Sequence, residues 1–362
     1  MSWIKRVYPP FLIVMISCFF GVALVEVALR IINSNNQWSK TDEANILRDY
    51  QHLYDVSQLY ASDSPSVNYI RNQYGLRDAC ENPSEIEILT VGGSTTDQRY
   101  VSFESTYQTI IEQRLKKSVD NFGCVSNAGI DGHSTWGHLY SFKHWFPLIP
   151  ELNPKIVLLY VGVNDANFHR ATSPNAGFDT KRINGVKDFL RVFEIVKALL
   201  PIYRLLRQTY NNSSAAYAGH KPRKYSVDDY KVNVLNEHTE LLSEQNAIFF
   251  RSRLKSLLDE IHSMGAKPLC VTQPHRYVLE KEGVIWGVEN ILGYGFSGID
   301  FDHSIQKIND VIFDVCGANT VDLYNHGFSD SHFYDGIHTT ASGSEEIGRV
   351  IAESIGADLK NE

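Results

Sequence analysis

The feature that most constrains the fold of this chain is a series of short apolar segments that alternate with segments of helical spacing. The clearest of them, residues 155–161 (Lys-Ile-Val-Leu-Leu-Tyr-Val), is apolar on both faces. A strand of this kind has to be covered on both sides, as strands are in a parallel sheet between helices. The alternation therefore predicts a three-layer α/β/α domain with a central, mostly parallel sheet of five strands.

The same pattern places the individual elements. The predicted strands are residues 86–91, 122–126, 155–161, 267–272 and 320–323. The predicted helices are residues 105–117, 136–146, 237–264 and 302–315, with a last helix after Thr340. No internal repeat is visible. We therefore predict one domain over residues 85–362.

The alternation breaks after Asp165. Residues 166–236 contain a polar loop, an amphipathic segment at 186–210 and a tract of helix-breaking residues at 211–223. We interpret residues 166–236 as an insertion in the domain. The apolar face of the segment 186–210 fits packing against the core better than a lid or a helix on a membrane surface.

The N-terminal segment is unlike the rest of the chain. Residues 11–25 are apolar apart from Ser17 and Cys18, so no polar stripe marks the solvent face that a core helix would have. At about 1.5 Å per residue, the 25 residues 8–32 are long enough to cross a hydrocarbon core of roughly 30 Å. Glu26 is expected at the outer interface or in a pair. We predict a membrane-spanning helix.

Basic residues at the start of the chain orient this helix. Lys5 and Arg6 precede the apolar run, which favours a cytoplasmic N-terminus. A cleaved signal peptide also begins in this way, but no convincing small-x-small cleavage site follows. We predict that residues 1–32 form an uncleaved, single-pass anchor in the cytoplasmic (inner) membrane, with the rest of the chain outside the cytoplasm, in the periplasm of a Gram-negative cell. Residues 33–84 are expected to form a stalk that wraps onto the domain.

The charge of the chain excludes one class of partner. It has 42 acidic and 34 basic residues, a net charge of −8, and no run of Lys and Arg. A surface that binds a phosphate backbone needs a basic patch or stripe. Nucleic acid is therefore not an expected partner.

The cysteines are compatible with an oxidising compartment. Cys18 lies in the apolar helix, and the other four lie at spacings that do not resemble a zinc site. The predicted layout favours the pairs Cys80–Cys124 and Cys270–Cys316, because each pair falls on or beside successive strands. Free buried thiols are the alternative.

Ser94 follows the first predicted strand and precedes the first predicted helix. Gly92 and Gly93 allow a tight turn and a close approach of the backbone before it. The carboxyl end of a strand in an open α/β sheet is where a nucleophile for ester chemistry is expected. The turn alone is equally typical of a helix N-cap or a phosphate-binding loop.

Candidate partners for Ser94 follow the other predicted strands. Gly132 can present its backbone N–H to an anion, and Asn164 can donate its side-chain amide. Asp335 and His338 are three residues apart, so the carboxylate can orient one imidazole nitrogen while the other faces a nucleophile. We expect these groups to converge with Ser94 at one edge of the sheet.

With these blocks the sequence resembles the SGNH hydrolase superfamily, also called GDSL esterases. The blocks are residues 92–95, 127–132, 162–165 and 335–338, within about residues 85–356. Where many members have Gly-Asp-Ser-Leu, this chain has Gly-Gly-Ser-Thr. In this block the chain resembles exported or membrane-anchored bacterial proteins that edit surface polysaccharides.

The resemblance implies a flavodoxin-like fold and a serine mechanism. Ser94 is then the nucleophile, His338 the base and Asp335 the group that orients it. The implied oxyanion hole consists of the backbone N–H groups of Ser94 and Gly132 and the amide of Asn164. No metal and no organic cofactor is implied.

The expected function is that of a membrane-anchored serine esterase or O-acetyltransferase outside the cytoplasm. Its substrate would be an acyl ester, chiefly acetyl, of a carbohydrate or cell-surface polysaccharide, and polysaccharide-assembly machinery is an expected partner class. Water as the acceptor makes an esterase and a sugar hydroxyl makes a transferase. A lipid esterase or thioesterase with the segment 186–210 as a lid is one alternative. A non-catalytic polysaccharide-binding or assembly protein is another, against which the intact set of Ser94, Asp335 and His338 counts.

Four further residues lie in loops after predicted strands and are candidates to line a sugar site. They are Asn167, Gln273, His275 and Arg276. Surface or packing roles are the alternative for each of them.

Overall fold

A computed structural model describes most of the chain. The described residues are 4–34, 36–60, 65–166, 193, 195, 196, 199, 220, 223, 225–232, 234–291 and 296–359. The chain forms two compact units, of which one comprises Met1–Lys40 and Asp179–Ser213 and the other Thr41–Phe178 and Ser214–Glu362. The predicted helix at 186–210 lies outside the described residues except for four positions within it.

The first unit contains helix α1, Ile4–Ser34. Its segment Ile13–Ile32 has a mean hydropathy of 2.1 and is long enough to cross a membrane. A signal sequence and a membrane anchor both have such a helix. Glu26 accepts a hydrogen bond from Arg30 Nε at 2.8 Å, which gives this carboxylate the pair that its position in an apolar helix requires.

The second unit contains the predicted parallel sheet. Numbered along the chain, the described strands are β1 Tyr50–Asp55, β2 Ser66–Arg71, β3 Ile86–Gly92, β4 Cys124–Asn127, β5 Ile156–Tyr160, β6 Tyr230–Lys231, β7 Lys267–Val271, β8 Val278–Lys281, β9 Val284–Val288 and β10 Thr320–Val321. The central sheet has the order β10-β7-β5-β3-β4, and every neighbouring pair is parallel. The five predicted strands are thereby confirmed.

The described helices after α1 are numbered in the same way. They are α2 Ser39–Glu43, α3 Ser94–Asp97, α4 Tyr107–Leu115, α5 Thr135–His144, α6 Glu237–Ser263, α7 Gly298–Cys316 and α8 Ala341–Leu359. Apolar residues of α4 and α8, such as Ile111 and Ile351, form one buried cluster with Leu158 of β5. Because side chains alternate across a strand, Val157 and Leu159 point to the other face, where they are fully buried as well. The sheet is therefore covered on both faces.

Two antiparallel sheets were not predicted. Strands β1 and β2 pair along their whole length in the region expected to be a stalk. Val67, Tyr69 and Arg71 of β2 are buried while Asn68 and Ile70 are exposed, so this strand does alternate, but with an arginine on the inner face. The second sheet has the order β6-β9-β8.

Candidate active site

Ser94 lies in a turn that only glycines can form. A Cβ on Gly92 would lie 2.4 Å from the carbonyl oxygen of Tyr160 on the neighbouring strand. A Cβ on Gly93 would lie 2.6 Å from Asn164 Nδ2. Both distances are well below van der Waals contact, so the two glycines let the turn approach β5 and the loop after it. Ser94 then begins the one-turn helix α3 at the carboxyl end of β3.

Ser94, His338 and Asp335 form one continuous chain of hydrogen bonds. His338 Nε2 lies 2.7 Å from Ser94 Oγ, and His338 Nδ1 lies 2.7 Å from Asp335 Oδ2. The other carboxylate oxygen of Asp335 accepts from the backbone N–H groups of Ile337 and His338, at 2.9 and 2.8 Å. These two bonds hold the carboxylate in place beside the imidazole. The geometry is that of a nucleophile, a base and an orienting acid.

The charges of the pair suit this arrangement. Burial opposes the charged form of each group, but the mutual attraction of Asp335 and His338 outweighs it. The pKa of Asp335 is held below its usual range and the pKa of His338 is raised above its ordinary value of 6.5. Asp335 is therefore ionised wherever the imidazole has to accept a proton.

The raised pKa predicts a pH profile. Only neutral His338 can take the proton of Ser94, so kcat/KM should fall as the pH drops through the pKa of His338. The midpoint of this acid limb should lie above 6.5. Initial rates on a neutral acetyl ester between about pH 5 and 9 measure it. A midpoint clearly below 6.5 in the wild type would contradict the assignment of His338 as a base held by Asp335.

Two groups beside Ser94 are candidates for an oxyanion hole. Asn164 Nδ2 donates one hydrogen bond to the carbonyl of His133 at 2.9 Å, which orients the amide next to Gly93. Gly132 has φ of +79°, in the left-handed region that favours glycine. The structure thus brings Asn164 to the turn of Ser94, and the role of Gly132 stays a prediction.

The contact between Gly93 and Asn164 leads to a second prediction. A Gly93→Ala variant should lower kcat by about 10²-fold or more, because the new methyl group would displace the Asn164 amide, and loss of one oxyanion donor has an effect of this size. Steady-state kinetics on an acetyl ester would measure it. Gly356→Ala is a suitable control, since no atom lies within 4 Å of a Cβ placed there and Gly356 is not among the glycines with positive φ. Equal activity of Gly93→Ala and the wild type would exclude Asn164 as a donor in this position.

The loop that carries Asp335 and His338 is held by residues that follow β7. Arg276 donates from Nη1 to the carbonyl oxygens of Asp330 and Phe333, at 3.0 and 3.2 Å, and its backbone N–H donates to Gly336. The ring of Tyr277 occupies the space in which a side chain at position 336 would lie, about 2.0 Å from the Cβ position. Arg276 and Tyr277 therefore position the loop of Asp335 and His338.

Gln98 connects the nucleophile turn to the same loop. It is the C-cap of α3, with φ of +47°, and its side chain accepts a hydrogen bond from the backbone N–H of Tyr107 at 2.9 Å. Its amide nitrogen donates to Thr339 Oγ1 at 3.2 Å and to Ser344 Oγ. Thr339 directly follows His338, so a shift of either segment is resisted by the other.

A buried cluster of charges lies beneath the turn of Ser94. Asp97 is 1% exposed and pairs with Arg71 at 2.6 Å and with Arg99 at 3.0 Å, while Tyr69 donates to it at 2.6 Å. Burial raises the pKa of Tyr69 to about 12, so its hydroxyl remains a donor. Arg77 donates to the carbonyls of the same turn and of Val101. Arg71 and Arg77 are therefore buried and bind groups of the protein itself.

His220 is a residue at this site that the sequence did not indicate. Its ring centroid lies 4.0 Å from that of His338, and its Nδ1 lies 2.8 Å from the hydroxyl of Tyr334. With Asp335 and His338 it places ligand atoms within 4.8 Å of one another, a set that could hold a metal ion. A metal there would compete for the nitrogens that bind Ser94 and Asp335. Nothing in the sequence distinguishes His220 from the other histidines. It lies among helix-breaking residues and more than a hundred positions before His338.

The predicted sugar-site residues are placed differently. Asn167 lies outside the described residues. The side chain of Gln273 is buried and donates to the carbonyl of Val161 at 3.0 Å. His275 Nε2 lies 3.0 Å from Asp302 in the interior. Both side chains have partners within the protein, so a contact with substrate remains an expectation for them.

The cysteines outside α1 are paired. Disulfides join Cys80 to Cys124 and Cys270 to Cys316, and Cys18 is free. The first links the segment before β3 to β4, and the second links β7 to the end of α7. Both lie in the unit that carries Ser94.

Comparisons with known proteins return solved structures alone. No family model matches the sequence, and no curated protein matches it. Among similar solved structures are a lipase/acylhydrolase from Enterococcus faecalis (15% identity, 75% of this chain and 97% of that chain, TM-score 0.41) and a GDSL-like lipase from Bacteroides thetaiotaomicron (13%, 78% and 92%, 0.38). An acetyl xylan esterase is similar over 75% of this chain and 100% of its own (15%, TM-score 0.37). Likenesses at this level of identity concern the fold alone.

Proposed function

We propose that this protein is an SGNH-type serine esterase or O-acetyltransferase, anchored in the cytoplasmic membrane with its active site outside the cytoplasm. The observation that carries the proposal is the unbroken chain of hydrogen bonds from Ser94 through His338 to Asp335. A buried serine, imidazole and carboxylate in this order make the hydroxyl nucleophilic. Helix-capping or packing does not require all three contacts at once.

The proposed reaction is acyl transfer in two steps. His338 takes the proton of Ser94 as its oxygen attacks the ester carbonyl, and the negative charge on the carbonyl oxygen is stabilised by N–H donors of Ser94, Gly132 and Asn164. The imidazolium, stabilised by Asp335, then protonates the departing alkoxide. An acceptor hydroxyl, deprotonated by the same imidazole, attacks the acyl-serine and releases the enzyme. Water gives hydrolysis, and a sugar hydroxyl gives transfer.

The proposed location outside the cytoplasm has two supports. The helix Ile13–Ile32 is apolar and long enough to cross a membrane, and basic residues precede it. The two disulfides fit an oxidising compartment. The carbohydrate substrate is supported by the resemblance of the Gly-Gly-Ser-Thr block to proteins that edit surface polysaccharides.

The test compares the full-length protein in detergent with its Ser94→Ala variant and with Ser256→Ala, an exposed serine of α6, as the matched control. The substrates are an acetyl ester, a long-chain ester and an acetylated polysaccharide. We expect turnover of the acetyl substrates, an acyl adduct on Ser94 by mass spectrometry, and loss of both only in Ser94→Ala. Absence of any Ser94-dependent turnover or adduct would overturn the proposal. Preference for the long-chain ester would overturn the carbohydrate assignment and favour a lipid esterase.

A further inference from the structure

His220 and His338 are in direct contact through their ring faces. The ring centroids are 4.0 Å apart and the planes are tilted by 33°. The side chain of His220 is 13% exposed, so this contact is largely sheltered from water. Since the imidazole of His338 must point one nitrogen at Ser94 and the other at Asp335, a ring packed on its face limits rotation out of that plane.

His220 is itself held from two sides. Its Nδ1 lies 2.8 Å from the hydroxyl of Tyr334, and its Nε2 lies 3.9 Å from a carboxylate oxygen of Asp131. A carboxylate near Nε2 favours the tautomer with the proton on that nitrogen, which leaves Nδ1 to accept from the tyrosine hydroxyl. Tyr100 contacts the ring of His220 edge-on at 5.1 Å. These contacts fix the orientation of the ring as well as its position.

The two residues that hold His220, Tyr334 and Asp131, both lie in loops of the site. Tyr334 is in the loop of Asp335 and His338, and its own ring lies parallel to that of His338, at 5.6 Å. Asp131 precedes Gly132 and lies 3.4 Å from Arg99. Its pKa is lowered, because the contacts with His220 and Arg99 outweigh burial, so the carboxylate is charged. His220 thus joins the loop before Gly132 to the loop that carries His338.

The backbone near His220 contacts the same loop. The N–H of Arg223 donates to the carbonyl oxygen of Tyr334 at 2.8 Å. This bond does not depend on the His220 side chain. His220 and Arg223 therefore contact the loop of His338 separately, one through its side chain and the other through its backbone.

We infer that His220 is a positioning residue for the reaction: clamped between Tyr334 and Asp131, it packs on the face of His338 and keeps that imidazole aligned between Ser94 and Asp335. The inference rests on the proposed function, since it concerns the base of that reaction. Loss of the clamp should lower the rate of the chemical step and leave ground-state substrate binding unchanged.

Three variants of the full-length protein separate the contacts. His220→Phe keeps a ring against His338 and loses the nitrogens, His220→Asn keeps an acceptor near the position of Nδ1 and loses the ring, and Tyr334→Phe keeps its ring and loses the hydroxyl. We expect His220→Asn to lower kcat by about tenfold or more, since misplacement by about 1 Å can lower a rate by about 10²-fold. His220→Phe and Tyr334→Phe should show smaller losses, and KM should change by less than about twofold in all three.

A double-variant cycle tests the clamp itself. If the hydroxyl of Tyr334 acts only through His220, then Tyr334→Phe should not lower kcat further in a His220→Phe background. If the two residues acted independently, their fold-losses in kcat would multiply, and the clamp would be contradicted. His326→Gln is the matched control, because His326 pairs with Glu346 at 2.6 Å and has no contact with the three catalytic residues among those the structure describes. It should keep wild-type kinetics.

The outcomes distinguish this inference from the proposed function. Wild-type kcat in His220→Asn, together with an intact Ser94-dependent reaction, would overturn the positioning role alone. A rise in KM with kcat unchanged would also overturn it, because His220 would then bind substrate. If the wild type forms no acyl-serine at all, the proposed function fails first.

Discussion

A His338→Ala variant should lose about 10⁶-fold in kcat, and Asp335→Asn about 10⁴-fold. Among the residues that the structure describes, His338 Nε2 is the base hydrogen-bonded to Ser94 Oγ, at 2.7 Å, and the alanine variant removes it. The amide in Asp335→Asn would present a donor to Nδ1 and favour the tautomer whose proton faces Ser94. The activation free energies lost in the two variants should not add in the double variant, because Ser94, His338 and Asp335 act as one unit.

The measurement is single-turnover kinetics on an activated acetyl ester. The double variant, which combines His338→Ala with Asp335→Asn, is compared with His338→Ala. We expect the double variant to be no slower than His338→Ala alone. Circular dichroism melting serves as the control for folding, and His326→Gln as the control for loss of a histidine elsewhere. Losses of only a few fold in His338→Ala would show that another group acts as the base.

The second large effect is on stability. An Asp97→Ala variant should lower the free energy of unfolding by about 3–5 kcal/mol, because it leaves the buried guanidinium of Arg71 without its carboxylate. Arg99 would lose the same partner, and Tyr69 would lose its acceptor. Activity should fall as well, since Asp97 ends the helix that Ser94 begins.

Urea denaturation followed by tryptophan fluorescence would measure the change. Asp314→Ala is the matched control, because Asp314 also pairs with an arginine, Arg251, but at an exposed position where an ion pair contributes little. We expect little or no change in that variant. Similar stability losses in the two variants would show that burial of the Asp97 cluster is not what makes it important.

The central sheet was predictable because its strands are short apolar runs with a single interpretation. Residues 155–161 are apolar on both faces, and β5 is buried on both. The approach of Asp335 and His338 to Ser94 was also predictable in outline, because the carboxyl ends of parallel strands share an edge. The exact lengths differed: β10 is only Thr320–Val321, shorter than the predicted 320–323.

The rest depends on contacts that no local pattern contains. Strand β2 alternates, but its inner face includes Arg71, whose charge is paired with Asp97 and whose other donors reach the carbonyls of Gly75 and Gly129. Strand β8 carries the charged residues Glu280 and Lys281 within only four positions, so its sequence resembles a loop. His220 reaches His338 across a long stretch of chain, so its role follows from the folded structure and not from spacing.

The hairpin of β1 and β2 bears on how this protein can be dissected. A fragment cut at the first strand of the central sheet would retain Ser94, Asp335 and His338 but discard Tyr69, Arg71 and Arg77. Asp97 would then be a buried carboxylate that has lost its closest cationic partner, and the turn of Ser94 would lose the guanidinium bonds to its carbonyls. A soluble fragment lacking α1 should therefore begin no later than Thr41, where the unit that contains the hairpin begins. Fragments that start near residue 85 are expected to be recovered as inactive, poorly folded protein despite carrying every catalytic residue.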